Sequence, residues 1–540
     1  MAETSLDVQS TPRWIEEEVA TPDTQNAAMK IQRAKDVYDA YLGFEEEPKK
    51  AEVLSWYLYE LSSYFIHTVF LPILFPLMIS QIKWHEPEMG RSYNNRSGLL
   101  CRAREVQLYQ ELTNSTIAVK HMSFSALEWT SISWVFGIIL ASPVLASIAV
   151  HLDHGHSQQF IAIGATAVGA LFCLPAGFFQ THWIFPIYIA AVVIASTVST
   201  SSHTRNLGLM VRGFLGTTIP KSKFPCRQAI ASWLSLYGTA AGCVGSAIMS
   251  SFTYYMLHHK EDFVSLWIVS IFSGLKWLLG ILHVLMVNRP GVTTAPLSSP
   301  SQHLFSIFKH PHAAGSLVGV LLSSFTTMSI FTAGVLYLVG YLCLKPTTLL
   351  YVWLMYFLFP LFSLPLLQPL QQIIRADAVR MQLLGFLISS LTSGTGFYYR
   401  GSIWKNQHVL FFAAIQSLAT GVLHAFGRVL LLDCTPPGKD GAFSIWYSWV
   451  RAIGTCAGFA LASAIPGNIQ KTFGTVFCIS IIGIVVLIFG NISNLGGAVA
   501  AGHVREEFDE KRSPVHGLDN GREVTEANVQ TVRSPQEETV

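Results

Sequence analysis

Residues 160–179 read FIAIGATAVGALFCLPAGFF, a run of twenty residues without a charged side chain. The hydrocarbon core of a bilayer is about 30 Å thick, and an α-helix crosses it in roughly 20 residues at about 1.5 Å per residue. Runs of similar length, nearly free of charge, occupy 263–287 and 349–370. Each of these stretches predicts a transmembrane helix.

About twelve such segments lie between Val53 and Gly490. We place them at 53–81, 125–150, 160–179, 183–201, 229–256, 263–287, 314–343, 349–371, 382–399, 408–432, 444–465 and 472–490. The 540 residues are 51% hydrophobic and only 13% charged, which is too apolar for a soluble domain. A membrane β-barrel would show short alternating segments instead. We therefore predict an all-α polytopic membrane protein.

A polar segment divides these spans into six before and six after. Residues 288–312 are rich in Pro, Ser and Thr. Two six-helix halves joined by a linker are the layout of the major facilitator fold. The predicted organisation is an N-terminal tail at 1–52, a first half at 53–287 with a long loop at 83–124, a linker at 288–312, a second half at 313–490 and an acidic tail at 491–540.

Basic residues predict the orientation in the membrane. The segment 201–228 carries five Lys and Arg residues and no acidic one, and such loops face the cytosol. Both termini and the linker then lie in the cytosol, and the loop at 83–124 faces the lumen or the exterior. Asn95 and Asn114 begin glycosylation sequons in that loop, which agrees with this orientation.

Five ionisable side chains fall inside the predicted spans, namely Glu60, Glu128, Lys276, Arg428 and Arg451. A charge at mid-bilayer is costly unless it is paired or hydrated, so each one indicates function. Arginine also suits a carboxylate, through two parallel hydrogen bonds. We predict that Glu60, Lys276, Arg428 and Arg451, with Tyr57 beside Glu60, bind a zwitterionic or anionic solute or couple its passage to protons. The alternative is that they lie near helix ends and only lock helices together.

Three histidines and two loops are further candidates. His67, His283 and His424 lie in spans, where they would relay protons or hydrogen-bond a neighbouring helix. The loop after span two carries Asp153, and the loop after span eight carries Asp377 and Arg380. In facilitator proteins, an acidic and basic pair in these loops holds helices together in one access state, so a resemblance to them implies a gating role here. Ordinary solvated charge is the alternative.

Cysteine spacing and motifs exclude several classes. Four of the eight cysteines fall in spans, and Cys101 has no evident partner, so we predict neither a disulfide framework nor a metal site. The absence of a G-x-x-x-x-G-K-[ST] loop argues against a primary pump, and no catalytic cluster suggests an enzyme. We predict no cofactor and no nucleic-acid partner. The predicted partners are the lipid bilayer, a small-molecule solute and, where transport is coupled, protons.

Two motifs carry a family resemblance. Trp56-Tyr57-Leu58-Tyr59-Glu60 is similar to the Trp-Tyr-x-Tyr-Asp that opens span one in the vacuole effluxer family of the major facilitator superfamily. The region 421–447, with Arg428, the loop PPGKDGAF at 436–443 and Trp446-Tyr447, resembles that family's spans ten and eleven. The family includes the autophagy-related vacuolar amino-acid effluxer. The resemblance implies export of small solutes, amino acids foremost, from a vacuole or lysosome-like compartment.

The chain departs from the family pattern at three places. Glu60 replaces the usual Asp, Ser444 replaces a Gly, and 323–332 (SSFTTMSIFT) lacks the acid common in span seven. We therefore keep two hypotheses. The first is a secondary transporter that works by alternating access, and the second is a transporter-like receptor, scaffold or lipid mover. Another endomembrane or the plasma membrane is the alternative location.

Overall fold

The computed structural model describes residues 46–82, 103–179, 181–259, 262–287, 289–291, 299–399, 404–466 and 468–505. These residues are mostly helical, with two small two-stranded sheets. The helices are α1 (Lys50–Ile82), α2 (Ala103–Thr113), α3 (Ala126–Asp153), α4 (Gln158–Cys173), α5 (Phe185–Leu215), α6 (Phe224–His259), α7 (Asp262–Leu278), α8 (Ile281–Met286), α9 (Pro300–Leu304), α10 (Pro311–Gly340), α11 (Pro346–Ile374), α12 (Ala378–Tyr398), α13 (Asn406–Asp433), α14 (Asp440–Ala464), α15 (Ile469–Phe489) and α16 (Asn494–Ala500). The strands are β1 (Ile117–Val119), β2 (Met122–Phe124), β3 (Ile219–Pro220) and β4 (Val504–Arg505).

Twelve long helical rods in the described ranges correspond to the twelve predicted spans, with α7 and α8 forming one rod between them. Within those ranges, nine helices are long and apolar enough by composition to cross a membrane. The other three long rods are α6, α12 and α14. Long all-α rods of this kind confirm the predicted fold class.

The two halves meet along several helix pairs, of which two have the most extensive contacts. Helix α6 of the first half packs on α11 of the second, and α14 of the second packs on α3 of the first. Close packing is possible inside the first half because Gly245 of α6 has no side chain. A Cβ there would lie 1.9 Å from the carbonyl oxygen of Leu61 in α1. These contacts hold α1 against the interface between the halves.

Helix α1 changes its winding in the middle. Residues Ile66–Leu74 form a π-helical stretch that contains Pro72. Proline lacks an N–H and clashes with the carbonyl four residues before it, and a wider turn relieves that clash. Such π-helical turns often lie at functional sites, and this one carries His67 and Thr68.

The predicted basic loop at 201–228 is wrong in its extent. Helix α5 continues to Leu215 and α6 begins at Phe224. As a result Arg205, Arg212 and Arg227 are buried inside the protein. Only the short connection at 216–223 is a loop. The polar residues that suggested a loop face other helices rather than water, because a helix buried in protein tolerates polar side chains that lipid would not.

Two further predictions fall in the segments around the spans. The described part of the 83–124 loop forms α2 and an antiparallel hairpin of β1 and β2, and Asn114 is exposed between them. Asn95 lies outside the described residues. Cys343 is disulfide-bonded, which the sequence did not suggest, while the other six cysteines in the described ranges are free. Cys101 also lies outside the described residues. Spacing along a sequence does not reveal a pairing between distant segments.

Candidate functional site

A polar cavity lies between the two halves. It has an empty volume of about 640 Å³. One wall is formed by α1 of the first half, and the others by α10, α11, α13 and α14 of the second half. We call it the central cavity. Its polar lining consists of Tyr64, His67, Thr68, Ser323, Ser324, Thr327, Tyr356, Thr420, His424, Tyr447, Arg451 and Thr455.

A buried ion pair lies one helical turn from the lining of the central cavity. Glu60 lies one turn before Tyr64, and Arg428 lies one turn after His424. The Arg428 guanidinium donates to the Glu60 carboxylate, and both side chains are 5% exposed or less. Arg428 also donates to the Thr239 hydroxyl at 2.8 Å and packs over the Trp56 ring at 5.5 Å. The pair joins the first half to the second.

A histidine supports Glu60 from the other side. His203 Nε2 lies 3.1 Å from a Glu60 carboxylate oxygen. Its ring is stacked between Trp56 and Tyr59, each with a centroid distance of 4.3 Å. His203 lies in α5, in the stretch that the sequence suggested was a loop. The carboxylate therefore has both a guanidinium and an imidazole as partners.

The other predicted site residues are separated by the fold. Arg451, His67 and His424 line the central cavity. The Lys276 ammonium instead donates to the Gly245 carbonyl at 2.6 Å, between α1, α6 and α7, and does not line the cavity. Tyr57 also lies outside the cavity lining and packs edge-on to Trp56.

Two more candidates have local structural contacts. Glu128 completes a capping box at the start of α3, in which Ser125 N donates to the Glu128 carboxylate at 2.8 Å and Glu128 N donates to the Ser125 hydroxyl at 3.1 Å. His283 lies 3.4 Å from the Asn206 amide, away from the cavity lining.

Two buried ion pairs link the halves at one end of the bundle, which we call the closed end. Arg212 of α5 binds Asp440 of α14 through two parallel hydrogen bonds of 2.8 and 2.6 Å. Arg227 at the start of α6 binds Asp433 at the end of α13 at 3.3 Å. All four side chains are 3% exposed or less. Opening this end requires both pairs to separate.

Asp153 adds a third link at the closed end. Its carboxylate accepts hydrogen bonds from Gly441 N at 2.6 Å and Ala442 N at 2.9 Å, at the start of α14. A negative charge at a helix N-terminus is stabilised by the helix dipole. His303 Nε2 lies 2.8 Å from the same carboxylate. Asp153 therefore fixes the first half and the linker to the second half.

The loop after α11 contains only a local contact. The Asp377 carboxylate caps its own helix, α12, by accepting from Arg380 N at 2.9 Å. The Arg380 side chain is exposed. The two loops that the sequence placed in equivalent positions thus differ, since Asp153 crosses between the halves and Asp377 does not.

The chain shares its fold with two solved transporters. One is a bacterial homologue of the iron transporter ferroportin in an outward-facing state, with a TM-score of 0.52 and 13% identity over 82% of this chain and 98% of that one. The other is the human organic anion transporter MFSD10 (TETRAN), with the same TM-score and identity over 82% of this chain and 100% of that one. The chain has the major facilitator fold. Models of protein families give no match, and neither do curated protein sequences.

The major facilitator fold of this chain has an additional C-terminal element. Residues 491–505, which we call the strap, cross the closed end. Strand β4 pairs in parallel with β3 of the first half. Asn494 of α16 donates to Asp433 at 2.8 Å and accepts from Val379 N at 3.2 Å, both in the second half. The strap therefore contacts both halves and covers one of the buried ion pairs.

Removing the strap should open the closed end. We expect truncation after Ile492 to speed modification of Cys434, a buried free thiol whose Sγ packs against Gly497 of the strap. Hydrogen bonds to charged groups contribute about 1.5–3 kcal/mol, so the rate should rise roughly tenfold or more. Mass spectrometry of the Cys434 peptide after treatment with a thiol reagent measures this rate. Truncation after Arg505 is the matched control and should leave the rate unchanged, and equal rates for both truncations would contradict the role of the strap.

The strap should also loosen in mild acid. His503 is buried, with Nε2 2.7 Å from the Thr435 carbonyl oxygen. Burial, together with the guanidinium groups of Arg227 and Arg212, holds the pKa of His503 well below its ordinary value of 6.5. The released strap therefore binds more protons than the docked one, so docking is complete above about pH 6.5 and weakens below it. We expect Cys434 labelling, relative to the exposed Cys226, to increase between about pH 6.5 and 5. His503→Gln should remove this dependence, and its persistence would assign the effect to another group.

Proposed function

We propose that this protein is a secondary transporter that moves small solutes across a membrane by alternating access. The observation that carries the proposal is a polar cavity between two halves, together with buried ion pairs that, in the described part of the chain, join those halves at the closed end. Substrate sites of such transporters lie near the bilayer midplane between repeats. Arg451 fits this position, because it is the twelfth of the 25 residues of α14.

The two ends of the bundle differ in the strength of their contacts. The closed end has buried ion pairs and the strap. At the opposite end, Tyr109 of α2 packs on Gly340 and donates to the Pro466 carbonyl at 2.9 Å. A neutral hydrogen bond contributes about 1 kcal/mol, whereas removing one partner of a buried ion pair costs about 3–5 kcal/mol. Among the described residues, the ion pairs that join the halves therefore distinguish the closed end from the opposite end.

Protons are the coupling ion that we propose. Protonation of Glu60 would remove the charge that holds Arg428, and this would weaken a link between the halves. His203 beside Glu60 offers a second group that exchanges protons. In this scheme Glu60 in span one couples transport to protons, in place of the span-seven acid that is common in the vacuole effluxer family and absent here.

We further propose that the closed end faces the cytosol. Lys221 and Lys223 are exposed there, in agreement with the preference of basic loops for the cytosolic side. The disulfide at Cys343 lies in the loop between α10 and α11, at the opposite end, and disulfides persist in oxidising compartments. The exposed Asn114 is then lumenal or extracellular. Endoglycosidase treatment should lower the mass of the protein, and less so for Asn114→Gln, while a mass insensitive to the enzyme in both would contradict glycosylation at this site.

Amino acids are the substrate class that we propose from the resemblance to vacuole effluxers, with a vacuolar or lysosome-like membrane as the location. The test is flux of radiolabelled amino acids, sugars and organic acids in sealed vesicles that contain the purified protein, with and without a pH gradient. Saturable flux that a gradient stimulates is the expected result. If none of these solutes shows flux, the transporter proposal is contradicted.

One observation favours the alternative of a lipid mover. A second cavity lies inside the second half, with an empty volume of about 1000 Å³. Its lining is mostly aromatic and aliphatic, including Phe331, Trp353, Phe412 and Phe473. Such a cavity suits an acyl chain better than a small polar solute. Movement of a fluorescent phospholipid between leaflets, in vesicles that show no solute flux, would support this alternative.

A further inference from the structure

The central cavity carries an unbalanced positive charge. Arg428 is neutralised by Glu60, whose Oε1 atom is contacted by both Arg428 and His203. Arg451 in contrast has no ion pair and no side-chain hydrogen bond among the described residues. None of the described residues that line the cavity is acidic. An unpaired guanidinium in a low-dielectric site strongly favours an anionic ligand.

The groups around Arg451 suit one carboxylate. A guanidinium binds a carboxylate through two parallel hydrogen bonds. His67 and His424 lie in the same lining, with their ring centroids 6.4 Å apart. The Nε2 atom of each is buried and has no hydrogen-bond partner among the described residues. An imidazole nitrogen can donate or accept, so either ring can contribute a further hydrogen bond to the bound group.

Part of the remaining lining suits an apolar side chain, and none of the described lining offers an ammonium group a counter-charge. Met328, Phe331, Phe357 and Leu423 contribute carbon surface to the same cavity. Recognition of an α-amino group usually needs an acidic side chain, and the described lining supplies none. The cavity therefore distinguishes between the two charged groups of an amino acid, because only the carboxylate finds a partner of opposite charge there.

We propose, on the basis of the transport function proposed above, that the central cavity binds the carboxylate of a small organic anion through Arg451 and does not require an α-amino group. Amino acids then bind as carboxylates that happen to carry an amine. The corresponding 2-hydroxy acids bind equally well. Amino-acid amides, which keep the amine and lose the carboxylate, do not bind.

The test is ligand-induced thermal stabilisation of the purified full-length protein at pH 7. The probes are phenylalanine, 3-phenyllactate and phenylalaninamide, together with alanine, lactate and alaninamide as a smaller set. We expect the amino acid and the hydroxy acid of at least one set to raise the denaturation midpoint with similar affinity, and the amides to have no effect. Stabilisation by the amides equal to that by the acids, or none by any acid, would overturn the proposal.

Variants of one residue separate binding from folding. Arg451→Gln should weaken carboxylate binding at least about tenfold, and Arg451→Lys should restore part of it through a single hydrogen bond. Lys471→Gln is the matched control, because it removes an exposed positive charge from the same half. Unchanged affinity in a folded Arg451→Gln protein would overturn the proposal.

This binding measurement is independent of transport. Binding of 3-phenyllactate without any flux in vesicles would contradict the transporter proposal and still support the carboxylate site. Flux of an amine or a neutral solute that Arg451→Gln does not change would contradict the carboxylate site and still support the transporter proposal.

Discussion

Glu60→Gln should abolish solute flux and lower the denaturation midpoint of the protein. The substitution keeps the shape of the side chain but leaves the Arg428 guanidinium, 2% exposed, without its counter-charge. Removing one partner of a buried ion pair costs about 3–5 kcal/mol. The variant also loses the only acid that lies next to the described cavity lining, so gradient-driven stimulation should disappear with it. Vesicle flux and thermal denaturation measure the two effects.

Two controls separate the roles of the charge in stability and in transport. Glu128→Gln removes another carboxylate near a span end, yet glutamine can also complete a capping box, so flux and midpoint should stay close to those of the native protein. The double variant Glu60→Gln with Arg428→Gln removes both charges, and its stability should recover because no unpaired ion remains. Its flux should not recover. Full flux in the folded double variant would assign the pair to structure alone.

Asp440→Asn should shift the protein towards a conformation with the closed end open. Asp440 accepts two hydrogen bonds from the buried Arg212, and asparagine offers only one oxygen and no charge. With a cost of about 3–5 kcal/mol, modification of Cys434 should accelerate by roughly a hundredfold or more. The rate of Cys434 labelling, followed by mass spectrometry, checks this expectation.

The matched control for Asp440 is an ion pair that does not join the halves. Glu52 and Arg289 lie at the same end, with side chains 12% and 9% exposed, and their shortest N–O distance is 2.5 Å. Glu52 lies in α1, and Arg289 lies at the start of the linker, so neither residue belongs to the second half. Glu52→Gln should therefore leave Cys434 protected. Equal acceleration in Glu52→Gln and Asp440→Asn would mean that general loosening, rather than separation of the halves, exposes the thiol.

The sequence predicted the helices and part of the cavity because both depend on local properties. The length and hydropathy of the apolar segments predicted the long helices. The rarity of charged side chains in a membrane singled out Glu60, Arg428 and Arg451. The pairing of Glu60 with Arg428 joins residues 368 positions apart, which no local pattern reveals. Lys276 is equally rare in a span, yet it only donates to a backbone carbonyl of a neighbouring helix.

The residues that sequence reasoning missed are polar residues on helix faces buried in protein. Arg212, Arg227 and His203 lie in a stretch rich in Ser and Thr, which hydropathy reads as a loop. The only available signal was the absence of proline between Phe185-Pro186 and Pro220, which allows one long helix. Asp433 and Asp440 flank the Pro-Pro-Gly loop, and their partners Arg227 and Arg212 lie too far away in the sequence for a local pattern to reveal the pairs. The strap is too short to show any period, and its structure depends on the surfaces that it covers.

The strap also has a consequence for biosynthesis. Ile219 pairs with Val504, which follows it much later in the chain, so the closed end is completed only after residue 505 has left the ribosome. Until then Asp433 lacks Asn494, and the buried arginines of the first half have waited for Asp433 and Asp440 of the second half. Such long-range closure is slow, and incomplete intermediates expose surfaces that quality-control factors recognise. Chains that stop before residue 494 should therefore be degraded in cells faster than chains that stop after 505, even though both contain all twelve rods.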